Sequence, residues 1–268
     1  MIRCTHTVIS GAGSGLGLGL ALRLLRRGAH VSVLDQRVGD AARLALDAAG
    51  GSWSFHQIDI RDEHAVKAAV QAAVDAHGAP DLAINSAGIV LNRTLGETSG
   101  EAFRRVIDVN LNGSFHFAAA VLPTMKRDAR LALIASLAGL TSNYAYSAYG
   151  ASKFGVVGLA TTLRYEYESR GIHISCICPP EVKTPMVAEE RRDGDPISLS
   201  IKNVAGSLDA DDACDRIVVG LDAGRWLIVP GINAKMSAMI GRHLPGVFNA
   251  FMQFMVKRGR RRAGEALS

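Results

Sequence analysis

Sulfur is scarce in this chain and is not arranged to hold it together. Its four cysteines, Cys4, Cys176, Cys178 and Cys214, form no C-x-x-C pair, and no His/Cys cluster has zinc-ligand spacing, so a disulfide scaffold and a zinc module are both excluded. Cys176 and Cys178 alternate within "IHISCICPP" and would share one face of a strand; buried free thiols in a reducing compartment are the expectation. No uninterrupted apolar run reaches the length of a membrane-spanning helix. The opening residues "MIRCTHTVISGAG" lack the apolar core of a secretory signal, so a cytoplasmic location is expected. Excess charge is also missing from the main body. The net charge of +5 equals the contribution of Lys257, Arg258, Arg260, Arg261 and Arg262, which leaves the remainder balanced. A nucleic-acid-binding face on the body is thereby excluded.

What is present is an ordinary globular composition, 48% apolar and 21% charged over 268 residues, enough to bury a large core in one α/β domain. Apolar strand-like runs alternate with helix-period segments. Strands are expected at 6–10, 30–35, 52–60, 81–88, 129–139, 172–180 and 225–231, and helices at 17–28, 37–50 and 63–78. Continuous apolar strands in regular β-α alternation predict a Rossmann-type doubly wound parallel sheet flanked by helices. No linker interrupts the chain. Residues 1–231 form the dinucleotide-binding catalytic part, and residues 232–268 are a C-terminal helical extension of the same domain. Residues 186–208 are polar and irregular in pattern, and are expected to form a substrate lid.

The first expected strand runs into "SGAGSGLG", with Gly11, Gly15 and Gly17 at the turn into a helix. Glycines there allow a tight turn and a close backbone approach, so a helix N-terminus can face a pyrophosphate. Asp35 ends the second strand, 18 residues after Gly17, close to the separation expected for a carboxylate that binds a ribose hydroxyl. Such a group accepts from a free 2′-hydroxyl and repels a 2′-phosphate, which favours NAD over NADP; Arg37, two residues on, partly offsets the repulsion. Further along, Tyr149 and Lys153 stand four residues apart in "SAYGASKFG", on one face of a helix turn. A phenol titrates near 10, too high for a base at neutral pH, and a nearby ammonium lowers that value.

Taken together, the glycine loop, "NSAG", Ser136 in "IASLAG" and the Tyr149–Lys153 pair resemble the short-chain dehydrogenase/reductase family over residues 5 to 230. The resemblance implies a tetrad of Asn110, Ser136, Tyr149 and Lys153, in which Tyr149 exchanges the alcohol proton and Ser136 holds the substrate oxygen. It also implies that Lys153 holds the ribose and Asn110 a proton-relay water. For the cofactor it implies Gly11, Ser14, Leu16 and Gly17 at the pyrophosphate, Asp59 and Ile60 at the adenine, and Asn85 in support of the adjoining loop. Val182 and Thr184 would then meet the nicotinamide amide. The family's usual Pro-Gly after the sixth strand is Pro179–Pro180 here, which stiffens that loop.

The stretch "PPEVKTPMVAEERR" is similar to a lipid-directed branch of the family, that of 3-ketosphinganine reductases, whose NADPH preference Asp35 argues against. The sequence therefore predicts an NAD-dependent oxidoreductase for a lipophilic secondary alcohol or ketone, acting as a homodimer or homotetramer. An NADPH-dependent 3-ketosphinganine-type ketoreductase and a non-catalytic NAD-binding regulator are the alternatives. Leu244, Phe248, Phe251, Met252, Met255 and Val256 recur at helical spacing ahead of the basic cluster. Such a segment can lie on an anionic membrane, pack on the body or form a subunit interface.

Overall fold

The computed structural model describes residues 4–262 and Gly264. Seven strands form one parallel sheet: β1 (His6–Ser10), β2 (His30–Asp35), β3 (Trp53–Gln57), β4 (Leu82–Asn85), β5 (Arg130–Ile134), β6 (His173–Ile177) and β7 (Leu227–Ile228). Their spatial order is β3-β2-β1-β4-β5-β6-β7, the doubly wound arrangement expected from the sequence. Register is in step across the centre, with Val8 opposite Ser32 on one side and Ala83 on the other.

Helices cover both faces, which is why the strands read as continuous apolar runs. On one face α3 (Glu63–His77), α5 (Gly113–Val121) and α6 (Ser147–Tyr167) pack Val66, Val70, Phe117 and Val156 onto Val8, Leu34, Leu131 and Ile174. On the other, α1 (Gly15–Leu25), α2 (Asp40–Asp47) and α9 (Ala210–Asp222) pack Leu20, Leu46 and Ile217 onto Ile9, Val33 and Ile84. The short α4 (Gly100–Ile107) leads through a π-helical turn, Asp108–Asn112, into α5. Cys176, Cys178 and Cys214 are buried free thiols and Cys4 is half-buried, in line with the sequence expectation.

Three expectations need correction. Residues 186–208 are not irregular: they hold most of α7 (Pro185–Asp193) and all of α8 (Pro196–Ala205). The side chain of Thr184 accepts from the amide of Val187, that of Asp195 from the amide of Ser198, and each cap is followed by a proline in the first helical turn. Those two start signals outweigh a composition that looked like loop. The strands are also shorter than the apolar runs suggested. β3 ends at Gln57, where its pairing with β2 stops at Asp35, and Ile58–Ile60 continue as loop. α1 starts at Gly15, two residues earlier than periodicity alone implied.

The C-terminal extension is α10 (Ile232–His243) followed by α11 (Pro245–Arg262). Leu244 lies between them, so the expected stripe is split. Phe248, Met252, Met255 and Val256 are half-buried toward α8 and α10, whereas Leu244 and Phe251 stay largely exposed.

Candidate active site

The strand order reverses between β1 and β4, and the crevice at their carboxyl ends is where ligands bind in open α/β sheets. Here it is a cleft of about 860 Å³. Its near end is made of backbone. Gly11 adopts φ +69°, and a β-carbon on it would lie 2.5 Å from the amide nitrogen of Ala87, so the two loops touch through glycine alone. A β-carbon on Gly17 would lie 2.1 Å from the Gly11 carbonyl oxygen, which closes the first turn of α1 onto the loop. Ser14, in extended backbone with no hydrogen bond from its side chain into the helix, precedes α1, and Ser14, Gly15 and Leu16 line the cleft. A cradle that side chains would fill and a helix start facing open space fit a pyrophosphate.

Asp35 lines the same end. Its Oδ2 accepts from the Gly13 amide at 2.8 Å and its Oδ1 from the Gln36 amide at 2.7 Å, so the carboxylate both braces the glycine loop and faces the cleft. Ile58 and Ile60 form the adjoining apolar wall. Asp59 does not face the cleft. Its carboxylate turns onto the Arg61 guanidinium at 2.5 Å, whose hydrogen bonds hold it below the usual carboxylate range.

Asn85 also lies behind the wall. It is buried, accepts from the Ser10 hydroxyl and donates to Ser114 Oγ at 2.7 Å, and Ser114 in turn donates to the Asn110 carbonyl at 2.6 Å. The side chain thus ties β1, β4 and α5 together beneath the loop, the supporting role expected of it. Asn110, in the π-helical turn, is fully buried. It donates to the Ile89 carbonyl and to Ser152 Oγ, both at 2.9 Å, and accepts from the Ile89 amide at 2.8 Å. Only one lone pair of its Oδ1 is left uncommitted. In this structure Asn110 is foremost a brace between the loop after β4 and α6.

Ser136, Tyr149 and Lys153 converge on the middle of the cleft. Ser136 follows β5 and caps a short turn by accepting from Ala138, and its side chain draws the Tyr149 phenol's pKa down. Lys153 is buried, donates to the Ile134 carbonyl at 3.0 Å, and lies 5.8 Å from the centre of the Tyr149 ring. Gly139 lets α6 come this close: a β-carbon there would lie 2.5 Å from the Lys153 carbonyl oxygen. The sequence led us to expect a phenol lowered by the ammonium. In the protein alone burial dominates, pushing Tyr149 up to about 12 against the pull of Ser136, and pushing Lys153 down to about 8.

The far end is built from side chains. Val182 and Thr184, on the segment after β6, also line the cleft, Thr184 close to the Gly15 turn, and Pro179 holds the serine loop by accepting from the Leu137 amide at 2.8 Å. Met186, Val187 and Ile201 from α7 and α8, with Phe248 and Met252 from α11, supply an apolar wall. One buried ionic cluster, not foreseen from residue spacing, sits among them. Glu190 of α7 accepts from the Tyr146 hydroxyl at 2.5 Å, from Asn92 at 2.8 Å and from Lys202 of α8 at 2.5 Å. Lys202 also meets Glu181 at 2.8 Å, and Arg191 pairs with Glu181. The Tyr146 ring stands 5.0 Å from that of Tyr149, so the cluster anchors α7 and α8 beside the central residues. Its members lie far apart in sequence on helices that periodicity did not reveal. Among the described residues no His/Cys/Asp/Glu group could hold a metal ion.

The comparisons agree with this geometry. The short chain dehydrogenase family model matches residues 5–195. A 3-dehydrosphinganine reductase of Arabidopsis thaliana is 35% identical over 235 residues, covering 85% of this chain and 70% of the relative. A cyclohexanol dehydrogenase of Acinetobacter sp. strain SE19 is 40% identical over 189 residues, covering 68% and 74%. Among solved structures, a short chain dehydrogenase/reductase from Burkholderia phymatum in complex with NAD superposes with a TM-score of 0.81 at 26% identity, covering 92% of this chain and 95% of its own. Levodione reductase does so with 0.77 at 28% identity, covering 87% and 98%. The chain belongs to the short-chain dehydrogenase/reductase family, and it is an oxidoreductase acting on CH–OH groups.

Proposed function

We propose that this enzyme moves hydride between NAD and a lipophilic secondary alcohol or its ketone. The observation that carries the proposal is the two-ended cleft, with a glycine cradle guarded by Asp35 at one end, an apolar wall at the other, and Ser136, Tyr149 and Lys153 between them. Nicotinamide, when bound, accepts or supplies the hydride. The residues that would hold the cofactor are Gly11, Ser14, Leu16, Asp35, Ile60, Val182 and Thr184.

The chain's own residues would do the rest. The Ser136 hydroxyl holds the substrate oxygen beside Tyr149. Tyr149 takes the alcohol proton during oxidation and returns one to the developing alkoxide during reduction. A phenol at about 12 is a usable acid but a poor base. Oxidation therefore needs a further positive charge near the ring, which protonated Lys153 and oxidised nicotinamide together provide. Lys153 also fixes the ribose, and Asn110 keeps the loop after β4 in register with α6.

Preference for NAD rests on the negative charge of Asp35 beside the glycine loop. Buried free thiols favour a cytoplasmic setting, and a homodimer or homotetramer is part of the proposal. The 3-dehydrosphinganine reductase relatives support a second reading, a long-chain amino-ketone reductase using NADPH. One experiment separates them: turnover with NAD(H) and NADP(H) against aliphatic, steroid and amino-ketone substrates of increasing length. NAD-linked turnover that improves with apolar bulk is expected. Strong NADP preference, or activity confined to small polar alcohols, contradicts the proposal.

A further inference from the structure

The residues from Ile232 to Arg262 contain seven lysines and arginines and no aspartate or glutamate. The rest of the molecule sums to a charge near zero. This segment forms α10 and α11, and α11 has two apolar faces. One is used: Phe248, Phe251 and Met252 line the cleft, and Gly259 packs close to Ile197 of α8. The other faces outward. Val247 and Phe254 are 61% and 58% exposed, Phe251 between them reaches from the cleft rim into solvent at 46%, the three follow one another at helical spacing, and Arg258 and Arg261 continue the same strip, also exposed. On α10, Ile232, Met236 and Met239 form a second outward strip, 72%, 51% and 58% exposed. Isolated exposed apolar residues are common, but two adjoining helical strips of them are not.

We propose that this face docks on the surface of an anionic lipid bilayer, with Val247, Phe251 and Phe254 entering the headgroup boundary and Arg258 and Arg261 meeting lipid phosphates. Charge selects the occupant. A two-fold contact with a second copy would press one acid-free, seven-cation segment against another, whereas a bilayer carrying negative lipids complements it. Among the described residues no helix is long and apolar enough to cross a membrane, so the contact is interfacial. α10 and α11 also wall the cleft through Asn233, Ser237 and Phe248, which sets the cleft mouth close to the docked surface. The docking itself does not depend on the cofactor or substrate proposed above.

The test is co-sedimentation of the full chain with vesicles of phosphatidylcholine alone and with about one-third phosphatidylglycerol. Expected is binding to the anionic vesicles at low salt and release at high salt. Val247→Ser with Phe254→Ser, and separately Arg258→Glu with Arg261→Glu, should each weaken binding at least about tenfold. Neither pair touches the cleft, so melting temperature and cofactor binding serve as folding controls. Failure of the wild type to bind, binding equal on neutral vesicles, or variants that bind unchanged would overturn the inference. So would concentration-dependent self-association that the Val247/Phe254 variant alone abolishes, which would assign the face to a second copy. The wild-type comparison decides the matter even where a variant fails to fold.

Discussion

The two ends of the cleft are made of different material. At the glycine end the contacts are backbone against backbone: Gly11 against Ala87, Gly17 against Gly11, Gly13 against Arg37. At the far end they are side chains carried by four helices, α7, α8, α10 and α11, the first two fastened by one buried ionic cluster. A backbone-built end tolerates almost no substitution and holds a ligand common to many enzymes. A side-chain-built end can change residue by residue without disturbing the sheet. The difference explains why relatives with differently named substrates share this fold.

Substitutions can break that contrast in order of expected size. Tyr149→Phe removes the proposed proton carrier; kcat should fall by about 10³ with cofactor affinity within a few-fold of wild type, measured by single-turnover kinetics and cofactor fluorescence. A protein that kept its turnover would not use Tyr149 as acid/base. Gly11→Ala forces a β-carbon into the Ala87 amide at positive φ. Cofactor affinity should drop by about 10² and the protein should lose roughly 1–3 kcal/mol of stability. Equal binding in a titration would show that the loops are free to part.

At the other end, Lys202→Met leaves Glu190 and Glu181 with less compensation in a buried site. Roughly 2–4 kcal/mol of stability should be lost, and KM for the alcohol should rise more than KM for NAD. A variant in which both constants move together would mean the lid is not confined to the substrate end. Asp35→Asn keeps an acceptor for Gly13 while removing the charge, so preference for NAD over NADP should shrink about tenfold. A preference that stays fixed would remove the electrostatic basis for it.

The smallest effect is on pH. Burial holds Lys153 at about 8 against an ordinary 10.5, so between those values the unfolded chain keeps a proton that the folded protein has released. Stability contributed by this group therefore rises as pH climbs through that window. The wild-type melting temperature should gain on that of Lys153→Met from pH 8 toward pH 10, read by calorimetry. Parallel curves would mean that Lys153 is charged in place.

Legibility followed the same division. Glycines and Asp35 at fixed offsets from β1 identified the nucleotide end because a backbone cradle constrains residue type directly. Tyr149, Lys153 and Ser136 were readable because α6 sets their spacing and Gly139 fixes its approach to the serine turn. Asp59 is absent from the cleft lining: adjacency to Ile60 says nothing about which way a side chain turns, and its carboxylate pairs with Arg61. The lid helices were hidden by their polar composition, although Thr184–Pro185 and Asp195–Pro196 marked both starts. Tyr146, Glu190 and Lys202 meet only after folding brings α6, α7 and α8 together, so no spacing could have announced them.

The central claim is that one tyrosine between a nucleotide cradle and an apolar wall carries out NAD-linked alcohol chemistry. Its most direct test is kcat/KM for NAD and for NADP with a homologous series of secondary alcohols, run on the wild type and on Tyr149→Phe. The account predicts NADH formation that rises with chain length, exceeds NADPH formation throughout, and all but vanishes in the variant. Turnover that ignores chain length, prefers NADP or survives in Tyr149→Phe would contradict it.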